Sequence, residues 1–563
     1  MAPAATNEKK GLHGAGKENK RASTATTAVS PSPIPDDDSQ GSTSAWLCDE
    51  GEYRKYIDLL SGSNPGLTTC DPNNVDTDGN VHVLKRGNAC VSMLESPATG
   101  QPRFKKTTFR HSDDLRKHFS PSNYVKDGLR RIYIMEGLAP DYIAILGGHF
   151  FMEPTFFLRQ ERTCVWSNDF TPTSDALPLP ALLQPDRAFH LQYCELRSFN
   201  KAIENRYHFC KRTRRHVGMT PARHKEDSTT GILRRKVSWW SRPTENGGWD
   251  AVILCDPPLR ELSPSPKQMT SSGPKDIPDD DELKNMPFQN GYIDFLPYTD
   301  PKRALRIERH QHGSMLQDLV HYFENHSDLL SAELWKEPST SSIFLKKIVA
   351  AQNMQLVDYI KAMLPSLELK LTTAWIDEQD QWKSLQTISR RCGNYRDDVE
   401  DTLLSLCFPL EGGKSRGNVN WWECERDFQY IYHRLGILKG RADTLMQSMT
   451  GLASIAGNRQ NLEEAKRVKR LNLLALLFIP LAYTSSLFSM QDSYAPGNGQ
   501  FWVYWVSALG VVAMTVAVTW IMDSALDDAA QWQLGPLRFL KFWDQANRPN
   551  GLKRQGTIFG PMR

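Results

Sequence analysis

The sequence predicts an α+β cytosolic domain, then a long stalk helix, then a two-helix transmembrane hairpin. Three observations predict it. Residues 471–490 and 501–522 are two runs without a charged side chain, each long enough to cross a bilayer as one helix. An apolar seam with a seven-residue repeat leads up to the first run. Between residues 131 and 255, several segments alternate apolar and polar with the period of a strand, and helical stretches lie between them.

Each element follows in chain order. Residues 1–45 are rich in Ala, Ser, Thr, Pro, Lys and Gly and bury too little apolar surface to order themselves, so a solvated tail is expected. Residues 46–258 form the α+β domain. Arg131–Met135 alternates as a strand, 138–147 reads as a short helix with Asp141 in its first turn, and a Pro-Phe-Phe stretch around Pro154 follows. Three more strands are expected at 189–199, 232–240 and 249–255, with Asn246-Gly247 as the turn between the last two. The basic run Lys211, Arg212, Arg214, Arg215, His216 between strands reads as a solvated loop. Residues 259–300 read as an acidic, Pro- and Ser-rich linker containing Asp279, Asp280, Asp281 and Glu282. Residues 301–420 are helical, with helices at about 314–325, 341–364 and 373–410. His310, His312, His321 and His326 lack HExxH spacing and are read as helix-surface histidines.

The stalk is expected over 421–470. Phe428, Leu435, Ala442, Met449 and Ala456 recur every seventh residue, and Ile431, Leu438, Leu445 and Leu452 lie three further on. That seam is expected to pack along other copies, because a single chain offers no evident cover for so long a rod. The repeat fails at Arg459. The first membrane helix is 471–491, the second 501–522, and 523–563 is a cytosolic tail. Lys466, Arg467, Lys469 and Arg470 precede the first helix, whereas the 491–500 turn holds no Lys or Arg; both termini are therefore expected in the cytosol. The first residues hold no apolar run, so no signal peptide is expected. Plasma membrane, vacuole and mitochondrion are all left open; the start is not Arg-rich and acid-poor, which favours the first two.

The second half of the first membrane helix carries Tyr483, Thr484, Ser485, Ser486, Ser489 and Gln491. Unpaired polar groups facing lipid cost several kcal/mol, so these must face another helix or a wet opening; the residues alone fit either. A net charge of +3 gives no field for nucleic acid, and no nucleic-acid partner is expected. The ten cysteines show no CxxC pair, so neither a zinc knuckle nor a disulfide framework is indicated. No nucleophile–base pair, P-loop or metal-hydrolase motif is found, so neither enzyme chemistry nor a cofactor is expected.

Ile479-Pro480-Leu481-Ala482-Tyr483, followed at the same spacing by Phe488-Ser489-Met490-Gln491, resembles the first transmembrane helix of the CorA family of magnesium channels. There a Met-Pro-Leu-Thr-Phe stretch leads to an aromatic residue and Gly-Met-Asn. Glycine is replaced here by Ser489 and asparagine by Gln491. The strand, helix and Pro-Phe-Phe stretch of residues 131–157 is similar to the soluble domain of fungal CorA-like proteins.

The resemblance implies a homopentamer in the lipid bilayer that passes divalent cations, magnesium foremost, passively through an opening lined by the first membrane helix. It places Ser489, Met490, Gln491 and Asp492 at the ion-selecting mouth, with Gln491 holding the hydrated ion through its amide oxygen. It places Leu471, Ile479 and Ala482 along the opening, and Lys466, Arg467, Lys469 and Arg470 as a basic ring at its inner end. The alternative it leaves open is a non-conducting member of the fold that acts as a sensor or scaffold.

Overall fold

A computed structural model of the chain describes residues 47–48, 51–67, 84–122, 124, 128–162, 179–201, 203, 207–221, 229–264, 284–297, 310–370, 378–410, 420–489 and 496–525. The expected N-terminal tail, the acidic cluster 279–282 and the C-terminal tail beyond residue 525 lie outside the described residues.

The α+β part is one mixed sheet with helices on both faces. Its strands are β1 (Cys90–Pro97), β2 (Lys105–Phe109), β3 (Leu129–Glu136), β4 (Ala188–Phe199), β5 (Tyr207–Cys210), β6 (His216–Pro221), β7 (Thr229–Pro243), β8 (Trp249–Cys255), β9 (Leu262–Pro264) and β10 (Asn285–Pro287). β3 and β8 pair in parallel, Ile132 opposite Ala251 and Ile134 opposite Ile253. The other pairs are antiparallel. The long β7 ties the sheet together. It runs beside β4 from residue 229 to 240, while residues 229–233 pair with β6 and 237–243 with β8. Asn246 and Gly247 both adopt positive φ, 56° and 72°, in the β7–β8 connection, which suits a tight hairpin return.

Strand alternation sorts the two cores. Tyr133, Met135, Val252 and Leu254 face one side, with α1 (Glu52–Ser61), α2 (Ser112–His118), α3 (Pro140–Phe150) and α4 (Pro154–Glu161). Their neighbours Ile132, Ile134, Ala251 and Ile253 face the other. There they meet α5 (Met315–His326), α6 (Ile343–Lys370), α7 (Glu378–Ser405) and the first part of α8 (Glu425–Phe488). The last helix, α9, is Phe501–Ala525. Proline at the first turn starts α3 and α4, where its missing N–H costs nothing. α6 runs on through Pro365, where the sequence reading ended it.

The basic run 211–216 is not a solvated loop throughout. Lys211 is exposed and pairs with Glu261. Arg215, only 3% exposed, grips Asp256 with two nitrogens, Nε at 2.5 Å and Nη2 at 3.0 Å. It also donates to the carbonyls of Gln160 and Arg162. Lys236 N–H and Gln160 complete the shell of Asp256. A buried guanidinium is tolerated because its charge is paired and its donors are used. A second buried set has Glu195 between Arg235 and Arg197. Burial raises the Glu195 carboxyl, but the two guanidinium groups outweigh it and hold it below its usual range.

The heptad seam is buried, but not against another copy over its first half. Phe428, Ile431, Leu435, Leu438, Ala442, Leu445 and Met449 all join the core shared with α6 and α7 of the same chain. Polar ties hold the contact: Lys347 to Asp427 at 2.6 Å, Arg396 Nη2 to Tyr432 Oη at 2.7 Å, and Tyr432 Oη to Glu400 at 3.1 Å. Arg441 to Glu368, at 2.6 Å, adds another. The expectation that one chain leaves the whole seam uncovered is therefore corrected. Periodicity shows that a face is buried; it does not show against what.

Candidate functional site: the bare half of the long helix

α8 is continuous over 64 residues, about 95 Å at the helical rise. Past Met449 its character changes. Ile455, Leu462, Val468, Leu474 and Leu477 are all exposed. Residues 460–488 of α8 and 501–520 of α9 are each long and apolar enough to cross a membrane, and nearly all of both lies bare. Water does not tolerate so large an apolar surface, so lipid or further helices must cover it.

The two membrane helices contact each other along one narrow stripe. In α8, Pro480 and Thr484 are buried, while Leu476 and Phe488 are half-buried at the same four-residue spacing. Ala508 of α9 is fully buried. Small residues at the contact let the helices approach closely. Phe488 meets Tyr504 edge to face, with centroids 5.8 Å apart. Thr484, 4% exposed, donates its hydroxyl to the carbonyls of Pro480 and Leu481, both at 3.0 Å. Its hydroxyl is thus spent within the helix, beside the proline that interrupts the backbone ladder.

The residues expected along an opening lie on the other side. At 100° per residue, Leu471, Ala475, Ile479, Ala482, Ser486 and Ser489 fall within an arc of about 80°, roughly opposite the stripe that meets α9. All six are exposed, Leu471 by 64% and Ile479 by 68%. The stripe begins apolar and ends in two hydroxyls. Ala475 is not singled out by the sequence, and Ser486 only as one of several polar residues; the signal for both is their helical register with Leu471 and Ala482. Tyr483, also 64% exposed, stands beside the stripe.

Ser489 is the C-cap of α8, at φ −67° and ψ −14°, and its N–H reaches Ser485 O at 3.0 Å. Any L residue fits that conformation, so the serine imposes no backbone strain there. Met490, Gln491 and Asp492 lie outside the described residues. Lys466, Arg467 and Lys469 are exposed on α8 just before the uncharged run 471–490, and Arg470 continues the same helix.

An α+β domain joined by one long helix to a bare two-helix hairpin is the architecture of an integral membrane protein. Residues 328–522 match the family described as CorA-like Mg2+ transporter protein, a match running from α5's end to the second span. No curated protein matches the chain. Among solved structures, the chain is similar to the CorA magnesium transporter from Methanocaldococcus jannaschii, at 10% identity and a TM-score of 0.33. That alignment covers 78% of this chain and 98% of the other. The full-length CmaX protein is similar at 10% identity and a TM-score of 0.33, covering 77% and 97%.

Proposed function

We propose that copies of this chain gather side by side along α8, as a homopentamer, and open a passive path for divalent cations across the bilayer. Magnesium is the foremost cargo. The observation that carries the reading is the bare stripe from Leu471 to Ser489, set away from the helix contact with α9. In a ring of hairpins, α9 then faces lipid and the stripe faces the axis. Leu471, Ile479 and Ala482 narrow the path with apolar groups, a construction that gates by dewetting. Ser486 and Ser489 offer hydroxyls toward the outer end. Ser489, Met490 and Gln491 form the mouth, with Gln491 binding the ion through its water shell, since magnesium dehydrates reluctantly. Asp492 concentrates cations there. Both termini lie in the cytosol, by the basic flank before the span.

A second reading is favoured by one feature. Ser489 and Gln491 stand where the resembling channels carry glycine and asparagine, and Lys466, Arg467, Lys469 and Arg470 crowd the inner end. A fold with such ends serves equally as a non-conducting sensor or scaffold. Flux into liposomes separates the two. Purified protein is expected to pass magnesium, with Ile479→Glu altering the rate at least several-fold. Absence of flux in the parent chain, with flux gained in Gln491→Asn, selects the second reading.

A further inference from the structure

The loop ahead of α5 brings together side chains that the transport path does not use. His310 and His312 precede the helix, and Asp318 lies in its first turn. Ser314 caps α5 with a reciprocal box: its hydroxyl accepts from Gln317 N–H, and Gln317 Oε1 accepts from Ser314 N–H. The cap folds the incoming chain back over the helix end, and Gly313 N–H donates to Asp318 Oδ1 at 3.0 Å. Gly291, at φ +102°, leaves room for the His312 ring, which would collide with any Cβ there.

The three side chains converge. His310 Nε2 is 2.9 Å from Asp318 Oδ1. His312 Nδ1 points at Asp318 Oδ2 from 3.5 Å, is buried, and lies outside hydrogen-bond geometry. All three ligand atoms lie within 4.8 Å of one another. A tetrahedral zinc site sets its ligand atoms about 3.3 Å apart, so modest side-chain rotation closes this group around one ion. Tyr292 Oη donates to Asp318 Oδ2 at 2.9 Å, and with the Gly313 amide it fixes the carboxylate from behind. The His321 ring stacks on His310 at 3.9 Å and 10°, fixing that ring too. His310 is 20% exposed, which leaves a way in for an ion and a place for a bound water.

We infer that His310, His312 and Asp318 form a binding site for a first-row transition-metal dication of the zinc class, built into the α+β part and separate from the membrane path. Two imidazole nitrogens and one carboxylate suit zinc, cobalt or nickel. Magnesium prefers an all-oxygen shell and keeps its waters, so it competes poorly here. The site stands whether or not α8 conducts.

The test uses untagged, full-length protein in detergent, stripped of metal and titrated with cobalt(II). The expected result is one cobalt per chain with the intense visible absorption of a tetrahedral ion, displaced by zinc but not by a hundredfold excess of magnesium. The double variant His310→Ala/His312→Ala is expected to lose that absorption and bind zinc at least tenfold more weakly. His321→Ala, which removes only the stacking ring, is expected to keep it. Single His310→Gln and His312→Gln variants decide the matter if the double variant does not fold. A parent protein without the absorption, or folded histidine variants that bind as the parent does, would overturn the assignment.

Discussion

The two halves of α8 are one helix in two environments. From Phe428 to Met449 its apolar seam lies against α6 and α7 of its own chain. From Ile455 onward, equally apolar side chains stand bare. The same apolar character therefore has two meanings. In the first half it is satisfied within the chain and fixes the helix to the α+β part as a rigid lever. In the second it is unsatisfied within the chain, and lipid or further helices must cover it. The difference teaches that cover from outside the chain is needed where it runs out of its own helices, and not along the whole rod.

The comparison breaks most visibly at Phe428, which is fully buried. Phe428→Ala is expected to destabilise the α+β part by about 3–5 kcal/mol, the cost of losing a core aromatic and leaving a cavity. Leu474→Ala, on the bare half, is expected to change that unfolding by less than about 0.5 kcal/mol. Denaturant unfolding of both full-length variants, followed by tryptophan fluorescence, checks the contrast. Equal effects would mean that the halves are not separately supported.

A comparable loss is expected at Arg215. Arg215→Ala leaves Asp256 buried without its guanidinium, a change that costs about 3–5 kcal/mol. Lys466→Ala, in the exposed basic flank of the span, is expected to leave the unfolding midpoint unchanged. The same denaturation series reads both.

A smaller effect sharpens the contrast with pH. His190 and His216 are held below the ordinary histidine value of 6.5. Burial is the main cause for both, with Arg159 and Lys236 acting on His190, and Arg234 and Arg391 on His216. His216 is lowered to about 3. The unfolded chain therefore takes up protons that the folded one refuses. Their contribution is whole above pH 6.5 and is lost as pH falls from there toward 3. Unfolding midpoints measured between pH 7.5 and 4.5 are expected to drop on the acid side, and less so in His216→Gln.

Much of this was legible in the sequence, and the gaps have physical causes. The membrane helices were legible because a bilayer demands length and forbids charge. β4 was legible because it alternates, and β3, β7 and β8 because each is a run rich in β-branched and aromatic residues. β2 was not: in Lys105–Phe109 only Phe109 is buried, so no apolar pattern marks it. β1 was obscured by Ser92 and Ser96, polar yet buried within the strand. Arg215 read as surface because its partner Asp256 lies far along the chain and only the sheet brings them together. The histidine group was hidden for a related reason. Motif spacing looks for ligands on one helix, whereas here a capping turn folds two loop histidines onto the helix start. The register of Leu471, Ile479 and Ala482 was readable; that they lie away from α9 needed the packing at Pro480, Thr484 and Ala508.

The central claim is that the bare stripe of α8 faces other copies. Single cysteines at Ile479, Ala482 and, for contrast, Leu476 test it in liposomes, against the parent chain with its ten native cysteines as background. After bifunctional thiol cross-linking, Ile479→Cys and Ala482→Cys are expected to give linked dimers above that background, since one added thiol per chain joins chains only in pairs, and Leu476→Cys none. Cross-links at Leu476 alone, or none at any of the three, would contradict the account.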